Sequence, residues 1–231
     1  MTADRVGTGC DALDELLGGG LERGAVTQVY GPPAAGKTNL ALSAAVGVAA
    51  AGEVAVVVDT EGLSPERFET LLAARTEDVD AASERVVVQA AHNFEEQAQA
   101  VRDVADFAEQ ASLVVLDSAT GFYRLERTTE AGEDGEALRR VARQMTHLLS
   151  LARRYDLAVV VTNQVYADPE SDRVRPLGGH TLEHWTATVL RLERFRGGNR
   201  RATLEKHRSQ PAGETARFRI VDEGLLSVDE R

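Results

Sequence analysis

A glycine-rich segment that ends in lysine and threonine is the strongest candidate for chemistry in this sequence. Eight consecutive residues fit the pattern G-x-x-x-x-G-K-[ST]: Gly31, Pro32, Pro33, Ala34, Ala35, Gly36, Lys37 and Thr38. Such a loop points its backbone N–H groups at phosphate oxygens. The Lys37 ammonium then reaches the β- and γ-phosphates, and the Thr38 hydroxyl binds Mg²⁺. The segment predicts a site for ATP with magnesium, in which Lys37 serves both binding and catalysis.

Two acidic residues follow other apolar runs and could complete this site. Asp117 ends the run 113–117 and is expected to hold the magnesium ion, although a strand-end aspartate can instead cap a turn. Glu61 follows the run that ends at Asp59, and its carboxylate is the candidate for orienting the attacking water. Asp59 is the competing base, or else it holds the loop after its strand. The ends of parallel strands face the ligand crevice, which favours a shared location for these acids.

The surrounding elements alternate between apolar strands and amphipathic helices. Strand-like runs cover residues 25–30, 54–59, 85–89, 113–117 and 157–162. Helix-like periods cover residues 38–51, 94–110 and about 138–152. This alternation predicts an α/β fold with a mostly parallel central sheet flanked by helices. After residue 186 the runs 186–195, 200–208 and 215–221 alternate in a way that predicts C-terminal antiparallel strands.

Charge and composition indicate the type of organism and the cellular location of the protein. The 231 residues carry 37 acidic and 26 basic side chains, a formal net charge of −11, and only two of the bases are lysines. This composition is typical of salt-loving, GC-rich organisms, where a Debye length of about 3 Å in 1 M salt makes net charge a poor guide to partners. No apolar run is long enough for a membrane span, and a single cysteine excludes an intramolecular disulfide. We therefore expect a cytoplasmic protein without membrane contact.

Several motifs, taken in their order along the chain, resemble the RecA-type ATPases. They are the run T-G-C-D-A-L-D-E-L-L-G-G-G at 8–20, V-D-T-E-G at 58–62, P-E-R at 65–67, L-D-S at 116–118, T-N-Q-V at 162–165 and G-G-H at 178–180. The combination is most similar to the short archaeal paralogues of the RadA recombinase. The resemblance implies a RecA-like P-loop NTPase core as a single domain over residues 1–231. The N-terminal helical DNA-binding domain of full recombinases is not expected here.

The resemblance also implies a function in DNA repair and homologous recombination. A protein of this kind binds ATP and DNA, hydrolyses ATP weakly, and assists or regulates the RadA recombinase without catalysing strand exchange. A Holliday-junction nuclease is a further implied partner. By matching position, Gln164 takes the role of a phosphate sensor that links the γ-phosphate to the second DNA loop.

The alternative is a KaiC-like regulatory ATPase, which switches protein partners and does not bind DNA. The acidic net charge and the N-terminal run suit both interpretations equally. The T-N-Q-V and G-G-H motifs favour the recombination protein.

Two long polar segments, residues 118–135 and 164–179, are predicted as loops and match the DNA loops of recombinases by position. The candidate DNA contacts in them are Tyr123, Arg124 and Arg127 in the first loop and Arg173 and Arg175 in the second. Arginine contacts phosphate and an aromatic ring can stack on an unpaired base, which favours single-stranded or branched DNA. The alternatives are that Tyr123 packs on the core and that Arg173 and Arg175 pair with acids in their own loop.

The second of the two lysines belongs to a basic pair near the C-terminus. In some ATPases of the RecA superfamily, a basic pair in this hairpin reaches the ATP site of the neighbouring subunit. By this resemblance Lys206 and Arg208 are candidates for a finger that stabilises γ-phosphate charge in trans. Their spacing of two residues would place both side chains on one face of a strand. The sequence leaves open whether they act in cis or in trans.

Overall fold

A computed structural model of the chain describes residues 5–123, 134–167 and 174–228. The strands are β1 (Arg5–Val6), β2 (Leu21–Glu22), β3 (Ala25–Tyr30), β4 (Val54–Asp59), β5 (Val86–Ala90), β6 (Ala111–Asp117), β7 (Ala158–Asn163), β8 (Val165–Ala167), β9 (Val174–Pro176), β10 (Thr188–Arg194), β11 (Asn199–Lys206), β12 (Thr215–Val221) and β13 (Gly224–Ser227). The α-helices are α1 (Asp11–Leu16), α2 (Lys37–Ala50), α3 (Pro65–Ala73), α4 (Val79–Ser83), α5 (Phe94–Asp103), α6 (Asp134–Tyr155) and α7 (Gly179–Trp185). Among the helices in these described ranges, none has both the length and the low polarity that crossing a bilayer requires.

A nine-stranded sheet, counted over the described residues, lies at the centre in the order β13-β12-β11-β10-β3-β7-β6-β4-β5. The strands from β10 to β5 in this order run parallel to one another. β11, β12 and β13 extend the sheet as antiparallel pairs. The predicted fold class, a mostly parallel sheet with C-terminal antiparallel strands, is confirmed.

The central strands are nearly continuous apolar runs because helices cover both faces of the sheet. On one face Val57 of β4 packs in a cluster with Leu40 of α2. On the other face its neighbour Val56 packs in a cluster with Met145 of α6. Burial on both faces fixes the register of the strands. The register in turn determines how the carboxyl ends of neighbouring strands are aligned.

Local structure differs from the sequence prediction in several places. The helix predicted over 94–110 ends at Asp103 and continues as a 3₁₀ turn, while Val104 and Ala108 stay buried and preserve the apolar period. The segment 164–179, predicted as a loop, contains β8, β9 and the start of α7. β13 was not predicted. Strands of three or four residues are too short for a two-residue alternation to be recognised.

Candidate nucleotide-binding site

The register of the parallel strands brings the candidate site residues to one edge of the sheet. Asp59, the last residue of β4, is directly opposite Asp117, the last residue of β6. Tyr30 at the end of β3 is opposite Asn163 at the end of β7. Because the phosphate loop leaves β3 after Tyr30, it lies beyond the same carboxyl edge. This is the edge at which parallel sheets bind their ligands.

Two glycines give the phosphate loop its shape. Gly36 has a φ of 106°, a left-handed conformation, immediately before α2 begins at Lys37. A Cβ atom at Gly31 would lie 2.4 Å from the carbonyl oxygen of Leu192, so a larger residue would push β10 away from the loop. The first turn of α2 therefore presents its free backbone N–H groups to the loop, as a phosphate site requires.

The Lys37 ammonium is held inside the loop. It donates hydrogen bonds to the carbonyl oxygens of Gly31 at 3.0 Å and Pro32 at 3.2 Å. Burial lowers the pKa of Lys37, and the carboxylates of Glu61 and Asp117 only partly oppose this. A phosphate beside the ammonium would favour its charged form, because opposite charge offsets desolvation. The observed surroundings of Lys37 thus fit a bound polyphosphate.

Asp117 and Thr38 form the part of the site that fits magnesium. Asp117 is 6% exposed, and the hydroxyl of Thr162 donates a hydrogen bond to its Oδ1. Burial raises the pKa of Asp117, while hydrogen bonds from Thr162 and Thr38 act in the opposite direction. A carboxylate and a hydroxyl side by side are the hard oxygen ligands that Mg²⁺ prefers, with the remaining positions filled by water and phosphate. The donor set therefore fits a nucleotide-bound magnesium ion.

Asp59 holds the loop that follows its strand. Its Oδ1 accepts hydrogen bonds from the backbone N–H groups of Glu61 at 3.1 Å and Gly62 at 3.0 Å. Its Oδ2 accepts one from the N–H of Leu63 at 2.6 Å. Both carboxylate oxygens of Asp59 accept hydrogen bonds, and only 8% of the residue is exposed. Asp59 therefore fits the role of holding the loop after its strand better than the role of catalytic base.

Glu61 is exposed at the mouth of the site. Its Oε1 accepts hydrogen bonds from Ser118 Oγ at 2.9 Å and from Gln164 Nε2 at 2.7 Å. Glu61 and Gln164 line a cavity of about 450 Å³ together with Lys37 and Thr38. The structure thus brings the phosphate loop, the candidate base and the candidate sensor around one cavity, with Asp117 adjoining it through Thr38.

Four further residues that were not predicted as site residues line this cavity: Asn39, Val165, Arg200 and Ile220. Arg200, from β11, places its guanidinium 3.5 Å from the carbonyl oxygen of Ala34 in the phosphate loop. Its Nε is buried without a partner among the described residues. The pairing of β10 with β3 brings the C-terminal strands over the loop, and no local pattern in the sequence reveals that pairing.

The five candidate DNA contacts have different locations: three lie outside the described residues, one is buried and one is exposed. Arg124, Arg127 and Arg173 lie outside the described residues. Tyr123 is 4% exposed and packs in the core cluster of α6, which supports the packed alternative for its ring. Arg175 is exposed on β9, in the short hairpin that follows Gln164.

Lys206 and Arg208 lie away from the nucleotide cavity of their own chain. Lys206 is at the amino end of β10, whereas the phosphate loop leaves the carboxyl end of β3. Its ammonium donates hydrogen bonds to the carbonyl oxygens of Glu183 at 2.7 Å and Thr186 at 2.8 Å, where α7 ends. Arg208 forms an ion pair with Glu22 at 3.1 Å. Both side chains have structural partners, and neither reaches the phosphate loop of its own subunit.

A comparison with known families agrees with the fold and the site. The family model described as Rad51 matches residues 3–228. The chain is a member of the Rad51 family.

Within that family, RadB proteins are among the similar relatives. The DNA repair and recombination protein RadB of Halobacterium salinarum is 69% identical over 94% of this chain and 93% of its own length. RadB of Pyrococcus furiosus is 41% identical over 99% of this chain and 98% of its own length. The crystal structure of the RadB recombinase superposes with a TM-score of 0.82 at 36% identity, covering 97% of this chain and all of that one. The similarity to a Halobacterium protein agrees with the salt-loving composition.

Proposed function

We propose that this chain is a recombination accessory ATPase. It binds ATP with Mg²⁺, binds DNA, hydrolyses ATP weakly, and assists or regulates a RadA-type recombinase without exchanging strands itself. The observation that carries the proposal is the cavity in which Lys37 and Glu61 converge with Gln164. The KaiC-like alternative has less support, because the similar proteins are described as DNA repair and recombination proteins.

Each cavity residue has a defined part in nucleotide binding. The N-terminus of α2 and Lys37 bind the phosphates, and Thr38 with Asp117 holds the magnesium ion. When bound, that ion would supply positive charge against the phosphate oxygens. Glu61 accepts a proton from water at its carboxylate, whereas the Asp59 carboxylate is engaged by the backbone N–H groups of residues 61–63.

The contact between Glu61 and Gln164 supports a coupling of ATP to DNA. Gln164 lies between β7, whose end faces the nucleotide, and β8, which begins the hairpin that carries Arg175. A γ-phosphate that draws Gln164 away from Glu61 would move the start of this hairpin. DNA affinity is therefore expected to depend on ATP, with single-stranded or branched DNA favoured over plain duplex.

The proposal also includes action across a subunit boundary. Because Lys206 and Arg208 do not reach their own phosphate loop, their catalytic role would be in trans. A Lys37→Ala subunit lacks ATP but offers the finger, whereas a Lys206→Ala/Arg208→Ala subunit binds ATP but lacks it. Mixing the two should restore ATP turnover that neither shows alone. Absence of recovery in mixed assemblies, with normal turnover of the double variant alone, would reject the finger.

The protein is proposed to work in the cytoplasm as a single domain over residues 1–231, since DNA and ATP are cytoplasmic ligands. Its partners are a RadA-type recombinase and, for branched DNA, a Holliday-junction nuclease. The test is direct binding between the purified chain and a RadA recombinase in molar potassium chloride, with and without ATP. Co-sedimentation of wild type but not Lys37→Ala in the presence of ATP is expected. No association under any nucleotide condition would contradict the proposed partnership.

A further inference from the structure

A basic hollow lies at the amino edge of the sheet, remote from the phosphate loop. It occupies about 310 Å³ where the last turn of α6, the end of α7 and the end of β11 meet. Its walls include Arg153, Trp185, Lys206 and Arg208. A second hollow of about 400 Å³ adjoins it and shares Arg153 and Trp185. None of the described residues that line the first hollow is acidic, although the chain carries a net charge of −11.

The cations in this hollow differ in how far they are neutralised. Arg208 has an acidic partner, Glu22, at 3.1 Å. The Lys206 ammonium is fixed by two carbonyl oxygens, which orient it but leave its net charge in place. Arg153 is exposed on the last turn of α6, and no hydrogen bond or ion pair joins it to the described part of the chain. The hollow therefore retains positive charge, and the Arg153 guanidinium is available to bind an anion.

The aromatic wall indicates which anion. Trp185 is partly exposed, and its ring meets that of His184 edge to face, with centroids 5.0 Å apart. Trp185 also packs against the core cluster of α6, so only part of the indole is available to a ligand. An exposed aromatic ring beside a cation without an acidic partner is an arrangement that binds unpaired bases and their phosphates. An acidic peptide would satisfy the charge but leave the indole unused, and plain duplex DNA hides its bases in the stack. The combination favours single-stranded nucleic acid.

The path of the chain connects this hollow to the ligand edge of the sheet. α7 begins at Gly179, shortly after the hairpin that carries Arg175, and ends at Trp185 just before β10. A helix of seven residues is about 10 Å long. A strand of nucleic acid that contacts Arg175 therefore needs only a short extension along α7 to reach Trp185.

We propose that the hollow binds a nucleotide of single-stranded DNA, with Trp185 stacking on a base and Arg153 contacting a phosphate. The inference rests on the proposed DNA-binding function and adds a contact surface outside the two loop segments. In the isolated subunit, nucleotide binding at the phosphate loop does not depend on it, because the two sites lie at opposite edges of the sheet. Lys206 and Arg208 also line the hollow, so a subunit whose Lys206 and Arg208 reach a neighbouring ATP site would not bind DNA here at the same time.

Trp185 is the chain's single tryptophan, so intrinsic fluorescence reports on this hollow alone. The experiment titrates the protein with end-labelled oligo(dT) at the lowest potassium chloride concentration that keeps it folded. Label anisotropy measures total DNA binding while tryptophan emission measures occupancy of the hollow. We expect quenching that saturates together with the anisotropy, whereas thymidine monophosphate quenches only at much higher concentration.

Variants separate the hollow from the rest of the molecule. Arg153→Ala is expected to weaken oligo(dT) binding about fivefold and to reduce the quenching. Trp185→Leu should weaken binding to a similar degree. Arg102→Ala removes an exposed arginine from α5, whose side chain donates a hydrogen bond to Gln99 Oε1, and should change neither signal. ATP affinity should stay the same in all three variants.

The possible outcomes are distinct. A rise in anisotropy without quenching, and an Arg153→Ala variant that binds like Arg102→Ala, would overturn the hollow as a DNA site while leaving DNA binding intact. Equal quenching by poly-glutamate of matched charge would also overturn it, in favour of an acidic protein partner. No anisotropy change with or without ATP would reject the proposed DNA binding itself.

Discussion

At the scale of single residues, neighbouring acids in this site have different surroundings. Asp59 accepts three backbone hydrogen bonds, Asp117 is buried beside two threonines, and Glu61 is exposed with one oxygen hydrogen-bonded. The first stabilises a loop, the second fits a cation, and the third has access to water. Residue type and spacing alone do not separate these roles, because all three are carboxylates at strand ends.

Asp117→Asn is expected to stabilise the chain without nucleotide, by about 1 kcal/mol at neutral pH. Burial raises the pKa of Asp117, so the folded state binds a proton more tightly than the unfolded state does. The contribution of Asp117 to the free energy of unfolding therefore falls as pH rises above about 4, the unfolded value. Urea denaturation at pH values from about 4 upward measures this decline, which the variant should lack. The exposed Asp106→Asn is the control, and an equal pH profile in all three proteins would contradict the account.

Glu61→Gln is expected to lower ATP turnover about 100-fold while ATP affinity changes by less than about threefold. The amide oxygen can still accept the hydrogen bonds of Ser118 and Gln164, but it cannot take a proton from water. Phosphate release and calorimetry measure the two effects, with RadA added if the basal rate is low. Glu66→Gln, an exposed change in the first turn of α3, is the matched control. Wild-type turnover by the Glu61 variant would remove it as the base.

At the scale of elements, the C-terminal strands form part of the nucleotide site. Arg67 of α3 donates hydrogen bonds to the carbonyl oxygens of Val221 at 2.9 Å and Asp222 at 2.6 Å, and to Asn39 Oδ1 at 3.0 Å. It thereby fixes the turn between β12 and β13 against α2. Ile220, next to this turn, lines the nucleotide cavity.

Arg67→Ala is expected to lower the free energy of unfolding by about 1–3 kcal/mol, since it leaves three acceptors without their donor. ATP affinity should also fall several-fold, because Asn39 and Ile220 both line the cavity. Arg67→Lys should recover part of the loss. Thermal unfolding and ATP calorimetry provide the measurements, with Arg102→Ala as the surface control. Arg67→Ala values equal to those of the control would show that the turn is held by other contacts.

The same elements show where sequence patterns suffice and where they do not. The phosphate loop, Asp117 and the parallel strands could be predicted because each depends on a local spacing. Arg200 and the hollow around Trp185 could not, because they depend on β10 pairing with β3 and on α7 crossing to the amino edge of the sheet. The structural role of Lys206 was likewise hidden, since its acceptors lie 20 and 23 residues away.

At the scale of the whole molecule, an acidic body carries a few local basic sites. With a net charge of −11, long-range attraction to DNA is weak, and binding must depend on short contacts. Such contacts remain effective in molar salt, where the Debye length is about 3 Å.

The affinity for single-stranded DNA is expected to have a shallow salt dependence. About three phosphate contacts correspond to a slope near −2 in a plot of log K against log salt concentration. Oligo(dT) titrations at four or more potassium chloride concentrations measure the slope. A slope typical of six or more contacts would indicate an extensive basic face, contrary to the local sites described here.

The phosphate loop is proposed to bind ATP with magnesium, and the two lysines of the chain offer a direct test. Calorimetric titration of ATP and Mg²⁺ should give about 100-fold weaker binding for Lys37→Ala than for wild type, because charged hydrogen bonds to phosphate are lost. Lys206→Ala, which removes the only other lysine at the opposite edge of the sheet, should bind ATP like wild type in the isolated subunit. Wild-type ATP affinity in Lys37→Ala, or an equal loss in both variants, would contradict the assignment of the nucleotide site.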